Sequence, residues 1–136
     1  MEKQFSFTSI LSWLKSTEMF ARPSRQISGR WQLVEYYIET ENQLRNITEN
    51  QLKADEEFWN IEFTPEKSYS KNSNLPLPLI SGLKNGNWDV SKNYITLNSS
   101  GESVEFQFAI EKEILRMLKK DNLGRITFFG FFRKKE

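Results

Sequence analysis

Three observations predict an all-β protein, an eight-stranded antiparallel up-and-down barrel preceded by a short N-terminal helix. From Gly29 onward, short apolar runs are separated by turn-forming residues at the spacing of an antiparallel sheet. The clearest run alternates: Val104, Phe106, Phe108 and Ile110 on one face, Ser103, Glu105, Gln107 and Ala109 on the other. The runs follow one another closely, so neighbours in sequence can pair directly, and closing the sheet removes both edges. A chain of 136 residues has room for one core. It divides into 1–26, helix and linker, and 27–136, the barrel.

In residues 1–26, Ile10, Leu11, Trp13, Leu14, Thr17 and Phe20 recur at helical spacing until Pro23 and Ser24 break the run. This helix is expected to pack over the domain and close it. The first strand is Trp31–Ile38, with a change of phase between Leu33 and Val34 that points to a bulge or to a strand covered on both sides. Glu39–Glu57 is too polar for a core element and is expected to be a long loop, with Leu44, Ile47 and Leu52 as a short helical lid. Phe58–Phe63 is the second strand, with Trp59, Ile61 and Phe63 on one face. After the Thr64–Lys67 turn comes Ser68–Lys71, the third. Asn72–Gly82 carries Pro76 and Pro78 among leucines and cannot donate a regular ladder, so it is expected to be an irregular apolar loop. Asn85-Gly86 is a favoured tight-turn pair. Asn87–Val90, Tyr94–Leu97, the alternating run at 103–110, Ile114–Leu118 and Arg125–Phe132 complete the eight.

Composition narrows the function. There is no cysteine and no histidine, which removes disulfides, thiolate chemistry, the commonest general base and the commonest transition-metal ligand together. The acids of Asp55-Glu56-Glu57 and of Glu111 and Glu113 lie in polar segments without the fixed separation that paired-carboxylate catalysis needs. No phosphate loop, dinucleotide glycine pattern or calcium loop occurs. The chain is therefore expected to have no catalytic residues, no metal and no cofactor. Nineteen basic against eighteen acidic residues leave a net charge of +1, which argues against nucleic acid as a partner. No apolar run reaches the ~20 residues of a membrane span. A cytoplasmic location is expected, with export as the alternative because Phe5–Leu14 follows Lys3 like a weak signal peptide.

What remains is the aromatic content, 14% of residues, including eleven Phe and four Trp. Trp59, Phe63, Phe106, Phe108, Met117 and Phe128 are expected to line a cavity, with Tyr36 and Tyr69 as polar contacts near its mouth. Apolar walls with a few polar groups are how small ligands are commonly held. Asn72–Gly82, presenting Leu75, Leu77, Leu79 and Ile80, is expected to be a mouth loop.

Gly29-Arg30-Trp31, opening the first strand, resembles the Gly-x-Trp signature of lipocalins and of short bacterial lipocalin-like domains. The resemblance extends to Trp31–Tyr37, the Trp59–Phe63 strand, a second Gly-x-Trp at Gly86-Asn87-Trp88 leading into Tyr94–Leu97, and the aromatic last hairpins. It covers about residues 27–136. It implies that Trp31 plugs the closed end of the barrel beneath a basic side chain from near the last strand, with Arg133 first and Arg125 second for that part. Gly29, Trp31 and Arg133 would then be structural. The Thr-Asp-Tyr of many lipocalins is absent, Glu111-Lys112-Glu113 standing at the corresponding turn. The carboxylate-binding Arg-x-Tyr of fatty-acid-binding proteins is absent too, because Lys134 and Lys135 follow Arg133.

The expected function is non-catalytic binding of a small apolar molecule. The alternative is an interaction module with a filled barrel, in which the N-terminal helix or the outer aromatics form an interface such as a homodimer.

Overall fold

The computed structural model describes residues 26–41 and 43–135. The predicted helix of residues 1–26 lies outside the described residues, apart from Gln26. Nine strands and two short helices follow: β1 (Gly29–Thr40), β2 (Gln43–Ile47), α1 (Glu49–Ala54), β3 (Trp59–Phe63), β4 (Ser68–Ser73), α2 (Pro78–Ser81), β5 (Gly86–Ser91), β6 (Tyr94–Ser99), β7 (Glu102–Glu111), β8 (Ile114–Lys120) and β9 (Ile126–Lys135). The sheet runs β2-β1-β3-β4-β5-β6-β7-β8-β9, and β1 also pairs with β9. Leaving β2 aside, the ring β1-β3-β4-β5-β6-β7-β8-β9 closes as an eight-stranded antiparallel barrel.

The ninth strand corrects the reading of Glu39–Glu57 as a loop. β3 pairs with the first part of β1, from Gly29↔Phe63 to Gln32↔Asn60, and β2 takes the same edge further along, from Tyr36↔Ile47 to Thr40↔Gln43. β2 is polar because only Ile47 among its residues is buried. α1 starts at a capping box: the Thr48 hydroxyl accepts from the Gln51 backbone N–H, and the Gln51 side chain accepts from the Thr48 backbone N–H. Of the three residues expected in a helical lid, only Leu52 lies in α1, where it joins the buried cluster; Leu44 and Ile47 belong to β2.

The bulge in β1 is present, as a register shift against β9 between Leu33 and Glu35. It lets Leu33 and Tyr36 both point into the barrel. Trp59, Ile61 and Phe63 share the inner face of β3, all buried. Asn85-Gly86 is not a tight turn: Gly86 begins β5, and a Cβ there would lie 1.9 Å from the Asn98 carbonyl oxygen. Glycine is needed for strand approach, not for turn geometry. The Ser100–Gly101 turn does use positive φ, 51° and 84°.

One end of the barrel carries the turns at 64–67, 92–93 and 112–113 and the start of β1. Here the Trp31 indole N–H donates to the Ile27 carbonyl, 2.8 Å away. The cation over Trp31 is Lys134, with Nζ 5.5 Å from the ring centroid, and not Arg133 or Arg125. Strand parity is the reason. Phe128, Gly130 and Phe132 face inward along β9, so Lys134 continues that face and pairs with Trp31 directly. Arg133 falls on the outer face, where its guanidinium meets Glu49 at 3.5 Å, and Arg125 pairs with Asp121 at 3.1 Å. Gly29, at φ +130°, makes room for the Lys134 stem, which would lie 3.1 Å from a Cβ there. Trp88 repeats the arrangement: its indole N–H donates to the Thr64 carbonyl at 3.1 Å, beneath Lys67 Nζ at 4.3 Å.

Between the ends the inner faces of the strands meet in a buried cluster in which the Phe128 ring packs on Tyr36, Trp59, Phe106 and Phe132. Trp59, Phe106, Phe108, Leu115, Met117, Phe128 and Phe132 belong to one buried cluster. Burying each such side chain contributes about 1.5–3 kcal/mol. Phe129 and Phe131 face outward and join Tyr37, Ala109, Leu118 and Ile126 in a second cluster on the outer wall. The doubled phenylalanines of β9 thus serve both faces of the sheet.

Candidate functional site

The other end of the barrel is where the wall departs from a regular ladder. β4 and β5 meet only at Ser68↔Asn87 and Tyr69↔Gly86. Beyond Tyr69 the upper half of β4 has no β5 partner, and residues 74–85 fill the gap. Prolines at 76 and 78 exclude this segment from the ladder, and Pro78 starts the single turn of α2. The segment turns Leu75, Ile80 and Leu83 into the core, with Leu77 and Leu79 packed against it. The mouth-loop expectation holds for its position, and its apolar residues form a lid.

The lid is tied down by a few polar bonds. Lys71 Nζ donates to the Ile80 carbonyl at 2.9 Å, and the Lys71 backbone N–H donates to Asn85 Oδ1 at 2.9 Å. At the lid's start, Asn74 accepts from the Phe58 backbone N–H at 2.8 Å and donates to the Glu56 carbonyl at 2.8 Å. Ser99 Oγ donates to the Asn85 carbonyl at 2.9 Å.

Beside this lid lies a pocket of about 240 Å³, lined by Tyr69, Leu83, Leu97 and Val104, with Ser99 and Glu102 among its polar residues. That is the room of roughly eight waters, less than the 300–1,000 Å³ typical of sites for drug-sized ligands. Tyr69 is 3% exposed, and its hydroxyl has no hydrogen-bond partner. Burial raises the pKa of this phenol, so it remains protonated at neutral pH. Trp59, 0% exposed, has an indole N–H equally without partner. Buried polar groups are nearly always satisfied, so two orphans on the inner faces of adjacent strands are unusual.

The eight residues singled out from the sequence, Tyr36, Trp59, Phe63, Tyr69, Phe106, Phe108, Met117 and Phe128, lie in one cluster. Phe128 is its hub, with ring centroids 5.5 Å from Tyr36, 5.4 Å from Trp59 and 6.5 Å from Phe106. Phe63 packs on Tyr69 at 6.4 Å. Tyr69 alone among the eight lines the pocket. Tyr36 sits at the same end, its pKa raised by burial and by Glu57 and Asp55, against a lowering by Arg45. Sequence reasoning missed Leu83, Leu97, Val104 and Lys71. For Lys71 a signal existed, since it shares strand parity with Tyr69. Among the described residues, no group of acidic residues is placed to hold a metal, and no helix is long and apolar enough to cross a membrane.

A family model described as the lipocalin-like domain matches residues 27–116, more than half of the chain. No curated protein and no solved structure gave a match. The matched span begins two residues before the Gly29-Arg30-Trp31 entrance to the barrel and includes the Trp59 strand, the lid and the pocket. On that match and on the closed eight-stranded ring, the chain belongs to the lipocalin-like domain family.

Proposed function

We propose that the protein binds a small, largely hydrophobic molecule without transforming it, and that it does so in the mouth pocket beside residues 74–85. The observation that carries this reading is the buried, unpartnered hydroxyl of Tyr69, a residue in the wall of a recess that sets Leu83, Leu97 and Val104 beside Lys84, Ser99 and Glu102. A ligand with one polar atom would satisfy the hydroxyl and cover Leu83, Leu97 and Val104. The close ring packing around Phe128 favours this end pocket over cargo along the barrel axis. The absence of histidine and cysteine from the chain supports binding over catalysis.

Native mass spectrometry of protein purified from its own host, beside its denatured mass, tests the reading. We expect extra native mass that is released as a small molecule, and its loss in Val104→Trp, which fills the pocket. The same ring packing is also compatible with an interaction module. Among the described residues, however, only Tyr94 and Leu123 are large apolar side chains exposed to solvent, at 37% and 78%. A cargo-free dimer in the native spectrum would establish the interaction module and overturn ligand binding.

A further inference from the structure

The outer wall of the barrel differs from one side to the other. On β3, β4 and β5 its outward residues are polar and exposed, among them Glu62, Ser70, Asn72 and Asp89. On the arc β7-β8-β9-β1-β2 the outward residues include a buried apolar band. Register sets Gln107, Leu118, Phe129, Tyr37 and Asn46 in one row across these five strands. The next row holds Ala109, Arg116, Phe131 and Glu35. Tyr37 and Phe129 are each 2% exposed, Leu118 1% and Ala109 3%. Arg116 is half-buried in the same face, its guanidinium 5.3 Å from the Phe131 ring centroid.

Outward side chains of a sheet reach that degree of burial when another layer lies over them. The described members of this cluster all come from the wall strands themselves. The two helices do not supply the layer, since α1 and α2 turn Leu52 and Ile80 into the inner cluster. Left open, Tyr37, Phe129, Phe131, Leu118 and Ile126 would form a contiguous patch of roughly several hundred Å², about the largest that a monomer shows. Residues 1–25 are a layer of the right kind. They end at Gln26, three residues ahead of β1, which is itself a strand of this wall. Ile10, Leu11, Trp13, Leu14, Thr17 and Phe20 recur at helical spacing, so a helix over them carries one apolar face. A helix from Phe7 to Phe20 would be about 21 Å long. The four strand spacings from β7 to β2 measure about 19 Å.

We propose that the outer wall of β7, β8, β9, β1 and β2 is the docking surface for residues 1–25 of the same chain, whose apolar face covers Leu118, Phe129 and Tyr37. The segment flanks the barrel and plugs neither end. The two surfaces that an interaction module would offer, the N-terminal segment and the outer aromatics, then cover one another within one chain. The mouth pocket is left open, because Tyr69, Leu97 and Val104 line it from β4, β6 and the start of β7.

The chain has no cysteine, so Ser12→Cys, on the far side of the helical pattern from Leu14, takes a single nitroxide label. Amide NMR of the full labelled chain then reads which strands lie near the segment. The signals of Ala109, Leu118 and Phe129 are expected to lose most of their intensity. Those of Glu62, Asn72 and Asp89, across the barrel, should keep theirs. Leu14→Asp in the labelled chain should restore the lost signals. Loss centred on β3–β5 or on the mouth, or loss at no strand, would overturn the docking, and loss that survives Leu14→Asp would overturn the apolar contact. A mixture of labelled chain with unlabelled, isotope-enriched chain tests for a second copy. The enriched signals are expected to stay intact; strong loss at Leu118 and Phe129 would mean that one chain's segment covers another's wall, and the intrachain partner would fall.

Discussion

Gly130 tests whether the barrel is as full as its buried cluster implies. A Cβ at this position would lie 2.3 Å from Phe128 Cζ, 2.6 Å from Cε2 and 3.1 Å from Leu33 Cδ1. Ordinary carbon contacts begin near 3.5 Å, so in Gly130→Ala the ring must retreat by about 1.2 Å. It has nowhere to go, because Trp59, Tyr36, Phe132 and Phe106 surround it at centroid distances of 5.4, 5.5, 6.4 and 6.5 Å. Overpacking of this kind costs about 1–3 kcal/mol. Alanine recovers about 0.5–1 kcal/mol of the backbone entropy that glycine loses in a strand. With the ring boxed in, the net loss should approach 2 kcal/mol, or roughly 6–10 °C in Tm for a domain of this size. Urea unfolding followed by tryptophan fluorescence measures it. The decisive arm is Phe128→Leu, a smaller side chain that vacates the space of the ring edge. In that background Gly130→Ala should cost almost nothing, a coupling of about 1.5–2 kcal/mol. Additive effects of the two substitutions would show that the ring has room to move and that the barrel is not filled.

Other positions give equally direct tests. Lys134→Ala removes the cation and aliphatic stem over Trp31 and should cost about 1 kcal/mol, whereas Arg133→Ala, an exposed ion-pair partner, should stay within about 0.5 kcal/mol; chemical denaturation of the two variants in parallel reverses the assignment if Arg133 proves the costlier. Lys112 and Glu113 form the β7–β8 turn at φ 51° and 64°, conformations that cost an L-residue about 1–2 kcal/mol, so Lys112→Asn with Glu113→Gly should raise Tm by several degrees. The Asp121 carboxyl is held below its usual pKa, first by the Arg125 backbone N–H, then by the Leu123 N–H and the Arg125 guanidinium, with burial opposing. Its depressed folded pKa means the contribution is complete above the unfolded carboxyl pKa and lost as pH falls through the folded value. The stability gap between the parent chain and Asp121→Ala should therefore be constant above about pH 5 and close in more acid solution; a gap that persists there would exclude the carboxylate as its source.

How much of this was visible in the sequence follows from the range of each signal. Alternation is local, so the inner face of β7 and of β3 could be read from five to ten residues. The β1 bulge could be read from the phase change at Leu33. Parity along β9 was equally local, and following it two residues past Phe132 would have chosen Lys134 over Arg133. The capping box Thr48–Gln51 was readable as well. β2 was not, because a strand that lies mostly outside the barrel on one edge of β1 buries a single residue and carries no alternation to see. Nor was the glycine at 86, whose reason is the carbonyl of Asn98, a dozen residues away in sequence.

The sequence by itself determined that this chain builds an antiparallel barrel, which tryptophan opens it, and that histidine and cysteine chemistry is outside its reach. Those are properties of residue type and of near-neighbour spacing. Only the tertiary structure decided that the aromatic residues pack around Phe128, and that Tyr69 joins Leu83, Leu97 and Val104 in the wall of one pocket. Both depend on the diameter of the closed ring and on pairings between strands, set when all eight strands close together. A pocket volume and a packing of rings across the barrel belong to that closure, and no single stretch of sequence contains them.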